Sequence, residues 1–84
     1  MDAVQQEVKR IVSVITKASE EKLGLDTDLK AELNVDSLQG LQIVAALEKR
    51  FGVSIPDEEL DSYTSIRAIS DVVRKHGTVE LPRQ

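Results

Sequence analysis

The stretch NVDSLQGLQIVAALEKRFG, Asn34–Gly52, decides the fold. Within it Leu38, Leu41, Val44, Leu47 and Phe51 recur at steps of three, three, three and four, the spacing of a helix face and not the alternation of a strand. Asp36 or Ser37 opens this helix, because Asp36 followed three residues later by Gln39 fits a capping box. Gly52 stops it, since glycine takes the left-handed conformation that ends helices. Gly40 inside the helix costs about 1 kcal/mol relative to alanine. It reads either as a point of close approach for a partner or as a tolerated first-turn glycine.

On the N-terminal side, Val4, Val8, Ile11, Val12 and Ile15 place an amphipathic helix over Ala3–Ala18, with Asp2 as its cap. A fifteen-residue connection from Lys22 to Asp36 follows, in which Gly24 and Asp26-Thr27-Asp28 break the pattern and leave Leu23, Leu25, Leu29 and Leu33 as isolated anchors. Connections of that length without an element of their own are often functional. On the C-terminal side, Ile55-Pro56-Asp57-Glu58-Glu59-Leu60 predicts a short helical turn, since proline suits a first turn and acids its positive end. Thr64 or Ser65 caps a last helix that buries Ile66, Ile69, Val72 and Val73 and ends at His76 and Gly77. Apart from Val53-Ser54-Ile55 nothing alternates as a strand, and no internal repeat is present. The expected architecture is an all-α four-helix bundle, with three main helices, one short helix and a long loop between helices one and two. It spans residues 1–76 and leaves 77–84 as a tail.

The 84 residues carry a net charge of −4 and suffice for one small domain, with little room for a deep ligand cavity. The absence of cysteine excludes disulfides, thiolate metal sites and a cysteine nucleophile, so any thiol chemistry has to arrive on an attached group. Aromatic residues make up only 2%, which requires an aliphatic core and removes the stacking platforms of single-strand nucleic-acid binders. The negative charge also speaks against phosphate-backbone binding, and no helix reads as the basic recognition helix of a helix-turn-helix protein. No run approaches the roughly 18 apolar residues of a membrane span, and the acids Asp2 and Glu7 argue against a secretion signal. A cytoplasmic, monomeric protein is expected.

Few residues offer chemistry. The single histidine, His76, stands where the last helix frays and reads as a helix C-terminal cation. Asp26–Ser37 begins like a twelve-residue calcium loop but fails at Lys30, Ala31 and Ser37, where a ligand, the turn glycine and the bidentate glutamate belong. Asp57, Glu58, Glu59 and Asp61 read as a solvated acidic helix start. Ser37 remains, at the head of a helix after a long connection. It is either a cap residue or a surface hydroxyl placed where helix amides and the dipole favour an attached phosphate ester.

The run Asn34–Leu60 resembles the centre of an acyl carrier protein, in which an Asp-Ser-Leu motif begins the second helix. The spacing to Phe51, the Ile55-Pro56-Asp57-Glu58-Glu59 turn and Thr64-Ser65-Ile66 extend the likeness over Val4–Val73. The resemblance implies that Ser37 carries 4′-phosphopantetheine, placed there from coenzyme A by a phosphopantetheinyl transferase, with Asp36 assisting and Leu38 touching partners. The arm's thiol then holds acyl groups as thioesters for enzymes of fatty-acid, polyketide or related lipid biosynthesis, so the chain is a carrier and not a catalyst. Leu38, Gln39, Gln42, Ala45, Glu48 and Tyr63 form the implied partner face, and Val8, Ile11, Leu41, Val44 and Val72 the implied lining for a long acyl chain. Gln39, Gln42, Lys49 and Arg50 stand where fatty-acid carriers usually have acids, which suggests specialised partners. Asn34 replaces a usual glycine with another residue that tolerates the left-handed conformation. A peptidyl or aminoacyl carrier and an unmodified helical interaction module are the alternatives.

Overall fold

Asp2 and Gln5 start the first helix with a full capping box, since the Asp2 carboxylate accepts the Gln5 amide at 2.8 Å and the Gln5 side chain accepts the Asp2 amide at 3.1 Å. The computed structural model describes residues 2–56 and 64–76. Helix α1 runs over Ala3–Thr16, a single 3₁₀ turn over Glu20–Lys22, α2 over Leu29–Leu33, α3 over Ser37–Phe51 and α4 over Ile66–Lys75. Among the described residues there is no strand, Val53–Ile55 included. No helix among them is long and apolar enough to cross a membrane.

Helix α1 stops at Thr16, short of Ala18, because Lys17 turns left-handed (φ 64°) and gives its amide to the Ser13 carbonyl at 2.8 Å. It packs on both α3 and α4, burying Val4, Val8, Ile11 and Val12 against Ile43, Leu47, Ile69 and Val73. Arg74 of α4 pairs with Asp2 and ties the end of one helix to the start of the other. The Asp2 carboxyl is held below its ordinary range by the Gln5 amide and then by Arg74.

Among the described residues there are four α-helices, but the short one is α2, inside the connection expected to lack an element. Asp28 accepts the amides of Lys30 and Ala31, each at 3.1 Å, and Leu29 is fully buried beneath them. Five residues offer only Leu29 and Leu33 on one face, too few for a period to register. Of the turn expected at Ile55–Leu60, only a buried Ile55 and a half-buried Pro56 are described; Asp57–Leu60, Tyr63 and the tail 77–84 lie outside the described residues.

Leu41 departs from its expected burial. A step of three residues turns about 300°, so each repeat falls about 60° short of a full turn, and three in succession carry Leu38 to the side opposite Leu47. Packing turns Ile43, Val44 and Leu47 inward, with Phe51 half-buried, while Leu38 is 64% exposed and Leu41 48%. The lining proposed for an acyl chain keeps Val8, Ile11, Val44 and Val72, which are buried in one cluster, and loses Leu41.

Glu7 locks α1 to α3. Its carboxylate receives Arg10 at 3.2 and 2.5 Å and Arg50 of α3 at 2.8 Å, and its side chain is only 14% exposed. Arg10 is the main cause and Arg50 a further one of a Glu7 carboxyl held below its ordinary range, against a burial that pushes it up. A carboxyl lowered by folding stabilises the fold above the unfolded-state value of about 4.3 and loses that contribution as the pH falls through its folded value. Glu7→Gln is expected to cost about 1–2 kcal/mol at pH 7. The gap between the urea midpoints of parent and variant should close as the pH is taken down toward 3.

Candidate functional site

The segment before α3 is stitched to the start of α4. The Leu25 carbonyl accepts the Arg67 amide at 3.0 Å, and the Leu29 amide donates to the Thr64 carbonyl at 2.9 Å. The Arg67 guanidinium grips Asp26 at 2.8 and 3.2 Å. That pairing holds the exposed Asp26 carboxyl below its usual range. Leu23 and Leu29 are buried, and Leu25, Leu33 and Val35 pack on the core from outside. Asp26 is thus engaged with an arginine and Asp28 with helix amides. No group of three His, Cys, Asp or Glu among the described residues is arranged to hold a metal.

Asn34 ends α2 in the left-handed region (φ 54°), donating its amide to the carbonyls of Leu29 and Lys30. Only glycine, asparagine and aspartate hold that geometry cheaply. Asn34→Val is expected to cost about 1–2 kcal/mol by urea denaturation, and Asn34→Gly close to nothing. The reversal delivers Asp36 in extended conformation, where its Oδ1 accepts the Gln39 amide at 2.9 Å and its carbonyl the Gly40 amide at 2.9 Å. This is the forward bond of the expected box; the return bond from Gln39, present at Asp2–Gln5, is not formed among the described residues.

Ser37 is consequently the first residue of α3 and is exposed, and it is Asp36 that caps. The amides of Ser37 and Leu38 have no acceptor among the described residues, so two donors and the positive end of a fifteen-residue helix face solvent beside the Ser37 hydroxyl. A Cβ on Gly40 would meet nothing within 4 Å, so no internal contact requires a glycine there. The place fits a phosphate-linked arm: an accessible hydroxyl, free amides and an apolar surface from Leu38 and Leu41 beside it.

The remaining expected residues divide. Gln42 and Ala45 are exposed and Gln39 is half-buried, on the same helix as Leu38. Glu48 is half-buried and its Oε2 accepts the Ile55 amide at 2.8 Å, so it fastens the exit of α3. Tyr63 lies outside the described residues, and His76 is the C-terminal cap of α4, its backbone amide donating to the Val72 carbonyl. Leu41, expected in the core, is instead exposed on the same helix as Leu38.

Residues 6–73 match the family described as phosphopantetheine attachment site. The chain is also 30% identical over 76 residues to the acyl carrier protein of Buchnera aphidicola subsp. Baizongia pistaciae (strain Bp), an alignment covering 90% of this chain and 97% of that relative. Such domains are where acyl carrier proteins hold 4′-phosphopantetheine covalently. A helical bundle with this match over most of its length, and a capped helix presenting an open serine, belongs to the phosphopantetheine-binding acyl carrier protein family.

Proposed function

We propose that Ser37 bears the 4′-phosphopantetheine arm and that the chain carries acyl intermediates as thioesters for enzymes of fatty-acid or related acyl biosynthesis. The observation that carries this reading is the exposed Ser37 hydroxyl at the first position of α3, with capping left to Asp36. A phosphopantetheinyl transferase supplies the arm from coenzyme A. Ser37 Oγ forms the new phosphoester and gives up its proton, and the nucleotide part of coenzyme A leaves with the broken phosphoanhydride bond. The Ser37 and Leu38 amides stabilise the phosphate that results.

Partner enzymes meet the exposed apolar residues Leu38, Leu41 and Ala45 and the neutral Gln42. A face with few acids fits partners with an apolar, weakly charged docking surface better than strongly basic ones. A long acyl chain enters between the helices among Val8, Ile11, Val44 and Val72, an aliphatic cluster that can part without breaking polar bonds.

The test is intact-mass measurement and peptide mapping after incubation with coenzyme A, magnesium and a broad-specificity transferase. One arm on the peptide containing Ser37 supports the reading. An arm on another serine overturns the site, and no arm on a folded chain in the presence of active transferase favours the unmodified interaction module.

A further inference from the structure

We propose that the groove between α1 and the C-terminal half of α3 docks an acidic, aliphatic segment of a partner protein. The groove holds about 530 Å³ and is formed by Arg10, Ile11, Val14, Ala46, Lys49 and Arg50. Its floor is aliphatic, and Val14 on its edge is 64% exposed, the same fraction as the most exposed leucine of the partner face. Nothing in the described bundle covers that valine. Its rim is cationic although the chain as a whole carries a net charge of −4.

Among the described residues the cations there exceed the acids that face them. Glu7, mostly buried, serves Arg10 and Arg50 together, and Glu20 acts on Arg10 only through its field. Lys49 is exposed and has no carboxylate at salt-bridge distance among the described residues. An apolar floor under a cationic rim is complementary to a leucine or isoleucine flanked by glutamate or aspartate. The groove is open to solvent, whereas small-molecule sites enclose most of their ligand. That shape suits side chains projecting from a partner's surface. Ala46, Lys49 and Arg50 stand about 14–20 Å along α3 from Ser37 at the usual helical rise. A partner held there leaves the serine end clear, so one protein can tether the chain while another acts at Ser37. The inference stands whether or not Ser37 carries an arm.

The probe is a synthetic helical peptide with a leucine stripe flanked by glutamates, titrated into the ¹⁵N-labelled full chain, beside a twin peptide with lysine for every glutamate. Saturable amide shifts at Val14, Ala46 and Lys49 are expected with the first and not with the second, in the micromolar-to-millimolar range of small interfaces. Binding should weaken roughly tenfold between low and high salt. Lys49→Glu and, separately, Val14→Asp should each weaken it by roughly tenfold; both side chains are exposed, and far-UV circular dichroism verifies that each variant folds. Ser37→Ala should leave it unchanged. Equal binding of both peptides, no saturable shifts, or shifts confined to Leu38 and Leu41 overturn the proposal. So do the same shifts produced by oleate but not by the peptide, which assign the groove to an amphiphilic anion, or by raising the chain's own concentration, which assign it to a second copy.

Discussion

Ser37→Ala is expected to abolish loading by phosphopantetheinyl transferase while leaving the bundle folded. Loading has no second route at this position, because the reacting atom is the hydroxyl itself. The stability change should stay within about 0.5 kcal/mol. Ser37 occupies the first helical turn but does not cap it, its side chain is exposed, and alanine is the better helix former. Asp36→Ala should invert the pattern in stability, costing about 1 kcal/mol through the lost bond to the Gln39 amide while keeping the hydroxyl. Intact mass after incubation with the transferase and urea midpoints for both variants separate the two roles. A Ser37→Ala chain that still gains an arm would move the site elsewhere.

Leu29→Ala should lose about 2–5 kcal/mol, the range for a fully buried leucine that leaves a cavity. A domain of this length has roughly 4–13 kcal/mol in all at the usual stability per residue, so this one truncation removes a large share. The position is costly because a five-residue helix has no stability of its own. Its anchor in the core is what fixes the reversal at Asn34 and hence the placement of Asp36 and Ser37. Leu33→Ala, at a half-buried position on the same face, should cost clearly less. Urea unfolding with an unchanged slope and a lowered midpoint is the expected result; a loss under 1 kcal/mol would mean that Leu29 is not what holds the connection.

Most of the bundle follows from local rules that act on neighbouring residues. The caps at Asp2, Asp36 and Ser65 and the left-handed stop at Gly52 each rest on groups within three or four positions, and the structure places all four at those residues. Three features needed information from beyond the neighbouring three or four positions. Helix α2 is too short for a hydrophobic period, and its place is held by the Leu29 amide's bond to Thr64 and by the bonds of Arg67 to Leu25 and Asp26 just before it. The rotation of α3 could not be judged from spacing alone, because successive steps of three drift around the helix and only packing decides which part of the spiral turns inward. Glu48, read as a partner-facing acid, bonds the Ile55 amide because the chain doubles back after Gly52. The exposed position of Ser37 at a helix start was legible for the opposite reason: cap, serine and apolar neighbour lie side by side at the head of one helix.

The stitching of the connection to α4 has a consequence for biosynthesis. The partners that secure the stretch before Ser37 are Thr64 and Arg67, and Arg67 reaches Asp26 across 41 positions of sequence. Contacts so distant form only after the later partner exists, and closing the intervening loop delays them further. On a ribosome, a chain that has emerged only through α3 presents Ser37 after an unsecured segment, with Leu29 lacking the carbonyl that receives its amide. The geometry around the serine is therefore finished only when nearly the whole domain has been made. An enzyme that reads that geometry would act on completed chains and pass over truncated ones.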